Sequence, residues 1–133
     1  MRTIRIGLVL FAAAVLPSCE RMWDVSGGWS YRSGKFHTFV LELQQSGDRI
    51  TGTACESDAV PLITGAPVSG EFPHVRAVIG PEHVAQYGEG RITARLEGEV
   101  VSRTAIGARL IYANGHETPL AFKRDPDARC PPR

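Results

Sequence analysis

Arg91-Ile92-Thr93-Ala94-Arg95-Leu96-Glu97 alternates polar and apolar residues without a break. Only an extended strand puts residues 92, 94 and 96 on one side and residues 91, 93, 95 and 97 on the other. The same period recurs in both directions from this stretch. Phe39, Leu41 and Leu43 share one face of a second strand, with Thr38, Glu42 and Gln44 opposite. Ser46-Gly47-Asp48 ends that strand, and Ile50-Thr51-Gly52-Thr53 begins the return. Ser69-Gly70 reads as another hairpin turn. Asn114-Gly115 is the strongest turn signal, because both residues tolerate positive φ. Pro81 to Gly88 reads as one helical turn or a short helix, with Pro at its start and Gly at its end.

The reading is therefore all-β, with about eight strands near 27–33, 36–45, 48–56, 60–68, 71–79, 89–99, 104–113 and 116–124. Sequential hairpins predict a small antiparallel up-and-down β-barrel, since closure leaves no exposed edge. A two-sheet sandwich is the alternative. An eight-strand barrel has an interior that side chains can fill, or that holds one small ligand. Phe39, Leu41, Leu43, Ile92 and Leu96 are large enough to fill it.

The first nineteen residues are of another kind. Arg2 and Arg5 precede an unbroken apolar run, Ile6 to Leu16, and Leu16-Pro17-Ser18-Cys19 follows. Eleven apolar residues are too few to cross a bilayer core of ~30 Å as a helix. They have the length of a signal h-region. Leu16 and Ser18 before Cys19 resemble the lipobox of bacterial lipoproteins, and Pro17 departs from it. The resemblance implies a signal peptide over 1–18, cleavage before Cys19 and a lipid on its thiol. Glu20 stands where an Asp commonly retains such proteins in the inner membrane. Its presence points to the periplasmic face of the outer membrane. Plain secretion and a retained anchor are the alternatives.

Removing Arg2 and Arg5 takes the 15 Lys and Arg residues to 13 against 14 Asp and Glu, a net charge of −1. That balance argues against a nucleic-acid partner. It also offers no polybasic patch for a membrane surface, so the lipid on Cys19 must do the anchoring. Residues 19–26 read as the lipidated cysteine and a short tether, 27–124 as one barrel domain, and 125–133 as a Pro-rich tail. With Cys19 lipidated, Cys55 and Cys130 remain. A pair left over in an oxidising compartment predicts a disulfide that pins the tail.

Gly27-Gly28-Trp29 carries the G-x-W pattern of the first strand in lipocalins and related calycin barrels, and Lys123-Arg124 ends the last expected strand. At the superfamily level the chain resembles this group. The resemblance implies that Arg124 covers Trp29 and closes one end of the barrel. Ser46-Gly47 to Gly52-Thr53 is similar to the glycine-rich turns of avidin-like barrels. No ligand-contacting set of either group maps onto the chain.

Catalytic patterns are absent from the sequence. There is no G-x-S-x-G, no phosphate loop and no C-x-x-C. His116-Glu117 starts like a zincin motif, but Leu120 occupies the next ligand position. Gly88-Glu89-Gly90 leads into a strand, so it is not a dinucleotide fingerprint. His37, His74 and His83 are scattered, and His37 shares the parity of Phe39 at a barrel mouth. Glu56 and Asp58 read as solvated loop carboxylates. No cofactor, metal or enzymatic activity is expected. Three functions stay open: a binding module for a small apolar ligand or envelope protein, an inhibitor of a secreted hydrolase, and a structural envelope lipoprotein. Ser33-Gly34-Lys35-Phe36 is distantly similar to the inhibitory loop of bacterial lysozyme inhibitors, but its spacing and aromatic residue depart from that loop.

Intact mass and detergent partitioning check the anchor. The mature chain should begin at a lipidated Cys19, and Cys19→Ala should release the domain from membranes or block maturation without unfolding it.

Overall fold

The structure, a computed structural model, describes residues 22–34, 37–57, 63–83 and 93–130. The signal segment and Cys19 lie outside these residues, as do Lys35, Phe36, Asp58 and Ile92. Eight strands run in chain order around a closed antiparallel barrel. They are β1 (Gly27–Ser33), β2 (His37–Ser46), β3 (Arg49–Ser57), β4 (Ala66–Glu71), β5 (His74–Ile79), β6 (Ala94–Ser102), β7 (Ala105–Tyr112) and β8 (Glu117–Arg124). Each strand pairs with the next, and β8 returns to β1 with Trp29 opposite Arg124 and Ser30 opposite Lys123. The sandwich alternative is excluded.

Period two decides which side chains face the lumen. In β5, His74, Arg76 and Val78 are exposed while Val75, Ala77 and Ile79 are buried. Trp29, Leu41, Leu43, Ile50, Leu96, Ile106 and Phe122 meet in the interior from six strands. No polar or charged residue is buried among those described. The hydrophobic effect thus acts on one apolar column, at ~1.5–3 kcal/mol for each large side chain taken fully from water.

Several boundaries differ from the sequence reading. Ser69-Gly70 is not a turn: both residues belong to β4, and Ser69 lies opposite Arg76 of β5. The chain reverses at Phe72-Pro73 instead, through a cis peptide bond. Gly70 is small because β5 crosses it closely, and a Cβ there would overlap the His74 carbonyl oxygen. The fourth strand accordingly runs over Ala66–Glu71, past its expected end at 68, and residues 60–62 of the expected strand lie outside the described residues. The sixth runs on to Ser102, because Val100 continues the inward face opposite Ile106. Asn114-Gly115 does reverse the chain, but through a three-residue loop. Gly115 N–H donates to the Tyr112 carbonyl at 2.9 Å, and only Gly115 takes positive φ there. Of the expected helix, Pro81–His83 forms a 3-10 turn, and residues 84–88 lie outside the described residues. His83 stabilises that turn by accepting the Gly80 N–H at Nδ1, 3.0 Å away.

The two ends of the barrel are unlike. Three tight turns lie at one end, and the turn at Phe72-Pro73 bonds both the β2–β3 turn and the end of β6. Phe72 N–H donates to Asp48 O, and Val100 N–H donates to Pro73 O, both at 2.7 Å. The tail also starts from this end and crosses the outside of β1, β2 and β3. Asp125 N–H donates to Gly28 O at 2.9 Å, and Ser30 Oγ donates to the Asp125 carboxylate at 2.9 Å. Cys130 N–H donates to Glu42 Oε1 at 3.2 Å. The Cys55 and Cys130 sulfurs stand at bonding distance, with Cα atoms 5.6 Å apart, inside the range that a disulfide needs. Beneath this strap the outward-facing Val40 and Cys55 are as buried as lumen residues.

Gly28 allows the strap to lie flat. A Cβ at residue 28 would overlap the carbonyl oxygens of both Asp125 and Ala128. Gly28→Val should therefore lift the tail, speed tryptic cleavage at Arg129 and cost ~1–3 kcal/mol by overpacking. Cys130→Ser should cost up to ~4 kcal/mol in denaturant unfolding by the loop-closure argument. If the tail of Gly28→Val stays as protected as in the parent, the close approach is not what holds it.

Candidate functional site

One end of the barrel is sealed by the segment that precedes β1. Trp23 and Val25 share the inward parity of Trp29 and Tyr31, and Val25 is fully buried. Trp29 Nε1 donates to Val25 O at 2.9 Å. Val25 N–H donates to Gln45 Oε1 at 2.8 Å, and Gln45 N–H donates to Ser26 Oγ at 2.9 Å. Trp23 packs edge-on against Phe72, with ring centroids 5.5 Å apart, under the Arg103 guanidinium. Its buried Nε1 finds no acceptor among the described residues. The latter half of the expected tether is thus bound to the barrel floor.

Arg124 completes the floor. Its guanidinium carbon lies 4.3 Å from the centroid of the Trp29 ring. NH1 donates to Ser26 O and NH2 to Asp24 O, each at 2.8 Å, and NH2 also reaches Arg103 O at 3.3 Å. One planar cation thereby stacks on the indole and ties together three backbone carbonyls. A point-charge ammonium matches that geometry poorly. The Asp24 carboxyl is held below its ordinary pKa, first by the Ser26 N–H, then by the Ser26 hydroxyl. Burial opposes this slightly, and the nearby Arg124 charge reinforces it.

The other end is a mouth. Tyr31, Phe39 and Glu56 form one inward row across β1, β2 and β3, since Tyr31 pairs with Phe39 and Phe39 with Glu56. Leu110 and Tyr112 of β7, with Thr118 and Leu120 of β8, face this row. Together with Ser33 these residues line a cavity of about 300 Å³. Phe122 lies beneath, edge-on to Phe39 at 5.9 Å and to Tyr31 at 6.4 Å. Below it Leu41, Leu96 and Trp29 fill the lumen. A larger concavity, about 690 Å³, lies across β6 to β8 near Glu97, Glu99, Gly107, Arg109, Pro119 and Ala121. Its edge carries exposed ion pairs, Arg109 with Glu97 and with Glu117, both at 3.3 Å. Such exposed pairs contribute little to stability.

The sequence-based candidates now have places. Trp29 and Arg124 meet at the floor. Cys55 and Cys130 meet under the strap. Glu56 belongs not to a loop but to the end of β3, facing the mouth, where it makes a further interaction. Its parity with Ile50 and Ala54 was the available signal. His37 opens β2 opposite Ser33. His74 is exposed opposite Glu99, and His116 stacks on Tyr112 at 5.8 Å. Tyr31 and Tyr112 escaped the sequence reading because each sits near a strand end, where the period is too short to separate lumen from rim. Among the described residues no three His, Cys, Asp or Glu side chains are grouped to hold a metal. Comparison with known protein families, with characterised proteins and with solved structures finds no match.

Trp29→Ala should cost ~3–5 kcal/mol of unfolding free energy. Arg124→Lys should cost ~1 kcal/mol, read from the same urea titrations. The Asp24 contribution is present above the ordinary carboxylate pKa and is lost as pH falls through the depressed value. Asp24→Asn should therefore be slightly less stable at pH 7, and the gap to the parent should narrow as pH falls toward 2. A stability gap that persists undiminished at pH 2 would assign the effect to packing and not to charge.

Proposed function

We propose that the protein is an envelope lipoprotein, anchored through a lipid on Cys19, whose calycin-like barrel is a non-enzymatic binding module working at its mouth. The observation that carries this reading is the difference between the two ends. The floor is closed by Val25, Trp29 and Arg124, whereas the mouth keeps a cavity lined by Tyr31, Phe39, Tyr112 and Glu56. Small-molecule sites combine an apolar and aromatic wall with a few polar groups, and 300 Å³ is the lower end of their size.

The attachment of residues 22–26 supports an orientation. Two residues, Glu20 and Arg21, separate Met22 from Cys19, a reach of at most ~11 Å over three Cα–Cα steps. A lipid on Cys19 holds the floor against the bilayer and turns the mouth away from it. With Glu20 next to the anchor, the periplasmic face of the outer membrane is the proposed location. The Cys55–Cys130 pair suits that oxidising compartment.

Native mass spectrometry of the protein released gently from its own membranes tests the reading. A bound small molecule or a protein partner should appear with the parent chain and should be lost with Thr118→Trp, which fills the mouth. The same adduct on both proteins would place binding elsewhere, on the outer face of β6 to β8 for example. A parent chain that carries nothing would remove the binding role.

A further inference from the structure

We infer that the mouth recognises a compact organic cation, a quaternary or alkylated ammonium group. This rests on the mouth being the binding site, as proposed above. Three aromatic rings from three strands line the cavity: Tyr31, Phe39 and Tyr112. Ring faces carry the negative part of the aromatic quadrupole, so converging rings attract a cation desolvated between them. These rings are fixed before any ligand arrives. Phe122 braces Phe39 and Tyr31 from below, and His116 stacks on Tyr112.

The remaining lining chemistry points the same way. Among the described residues the lining contains a carboxylate, Glu56, and neither Lys nor Arg. Its other polar groups are the hydroxyls of Ser33, Thr118 and the two tyrosines, which accept as well as donate. Among these described residues an anionic head would meet no positive partner to offset its lost hydration. Glu56 has an interaction of its own, so the rings are the part of the wall that recognises the charge.

Depth excludes a long acyl chain. The lumen under Phe122 is occupied by Leu41, Leu96 and Trp29, all without solvent access. An interior packed to ordinary density has no channel for a tail. A cavity of about 300 Å³ suits a head group.

The test compares three probes of nearly one shape: choline, its neutral isostere 3,3-dimethylbutan-1-ol, and the anion 3,3-dimethylbutanoate. Each is titrated calorimetrically, and by the tyrosine ring NMR signals, into the full chain in phosphatidylglycerol nanodiscs. Empty discs at physiological salt serve as the blank. Choline should bind at least tenfold tighter than the alcohol, about 1.4 kcal/mol, and should shift the Tyr31 and Tyr112 signals. Tyr112→Leu should weaken choline by a similar factor at unchanged melting temperature. Equal binding of choline and the alcohol would overturn the cation inference and keep the mouth as an apolar site. Preference for the carboxylate would overturn it as well. If no probe moves the tyrosine signals, both the inference and the mouth reading fail.

Discussion

The Arg124 guanidinium lies over the Trp29 ring while its nitrogens hold the carbonyls of Asp24, Ser26 and Arg103. Those contacts join the first strand, the last strand, the segment before the first and the turn between the sixth and seventh. A barrel built from hairpins needs one long-range contact that makes it a ring, and this residue pair supplies it. Without it, β1 and β8 become edges, Val25 loses its place under Trp29, and the floor opens. The apolar column above depends on that floor, because a column open at both ends cannot exclude water.

The cavity at the mouth follows from the same constraint. Large residues crowd the lower lumen, where Leu41 and Phe122 pack on Trp29. Toward the mouth the row changes to Tyr31, Phe39 and Glu56, of which Tyr31 and Glu56 carry a polar tip or a charge that can face water. The transition from filled to open is thus a change of residue type along the strands and needs no change of backbone. The strap adds a second layer on the outside of β1 to β3. This arc carries both the closure residue Trp29 and half of the mouth.

Much of this was legible in the sequence. Strict alternation in β5 and β6 marks strands whatever their partners are, and eight of them in succession lead to a closed meander. The misplaced features share one cause. A glycine marks either a turn or a close crossing, and only the neighbouring strand distinguishes the two. Gly70 is a crossing, and Gly115 is a turn. Glu56 reads as a loop residue because a carboxylate at a strand end looks solvated until the facing strands are known. Trp23 and Val25 were assigned to a tether although they keep the parity of Trp29. A boundary set at a G-x-W pattern hides the two residues that the tryptophan rests on. The pairing of Cys55 with Cys130 needed only counting, but the strap between them depends on Gly28, whose role no local pattern discloses.

The cysteine pair changes the covalent topology of the chain. Its partners are 75 residues apart, and a bond between them makes residues 55–130 a ring that contains β4 to β8. A single backbone cut anywhere in that ring leaves one connected molecule. The connections on the mouth side between β3 and β4 and between β5 and β6 fall inside it, as does the β7–β8 loop. A protease that nicks any of these yields no separate fragment until the bond is reduced. Only the β1–β2 connection on the mouth side lies outside the ring, so a cut there leaves β1, with everything before it, held to the barrel by non-covalent contacts alone.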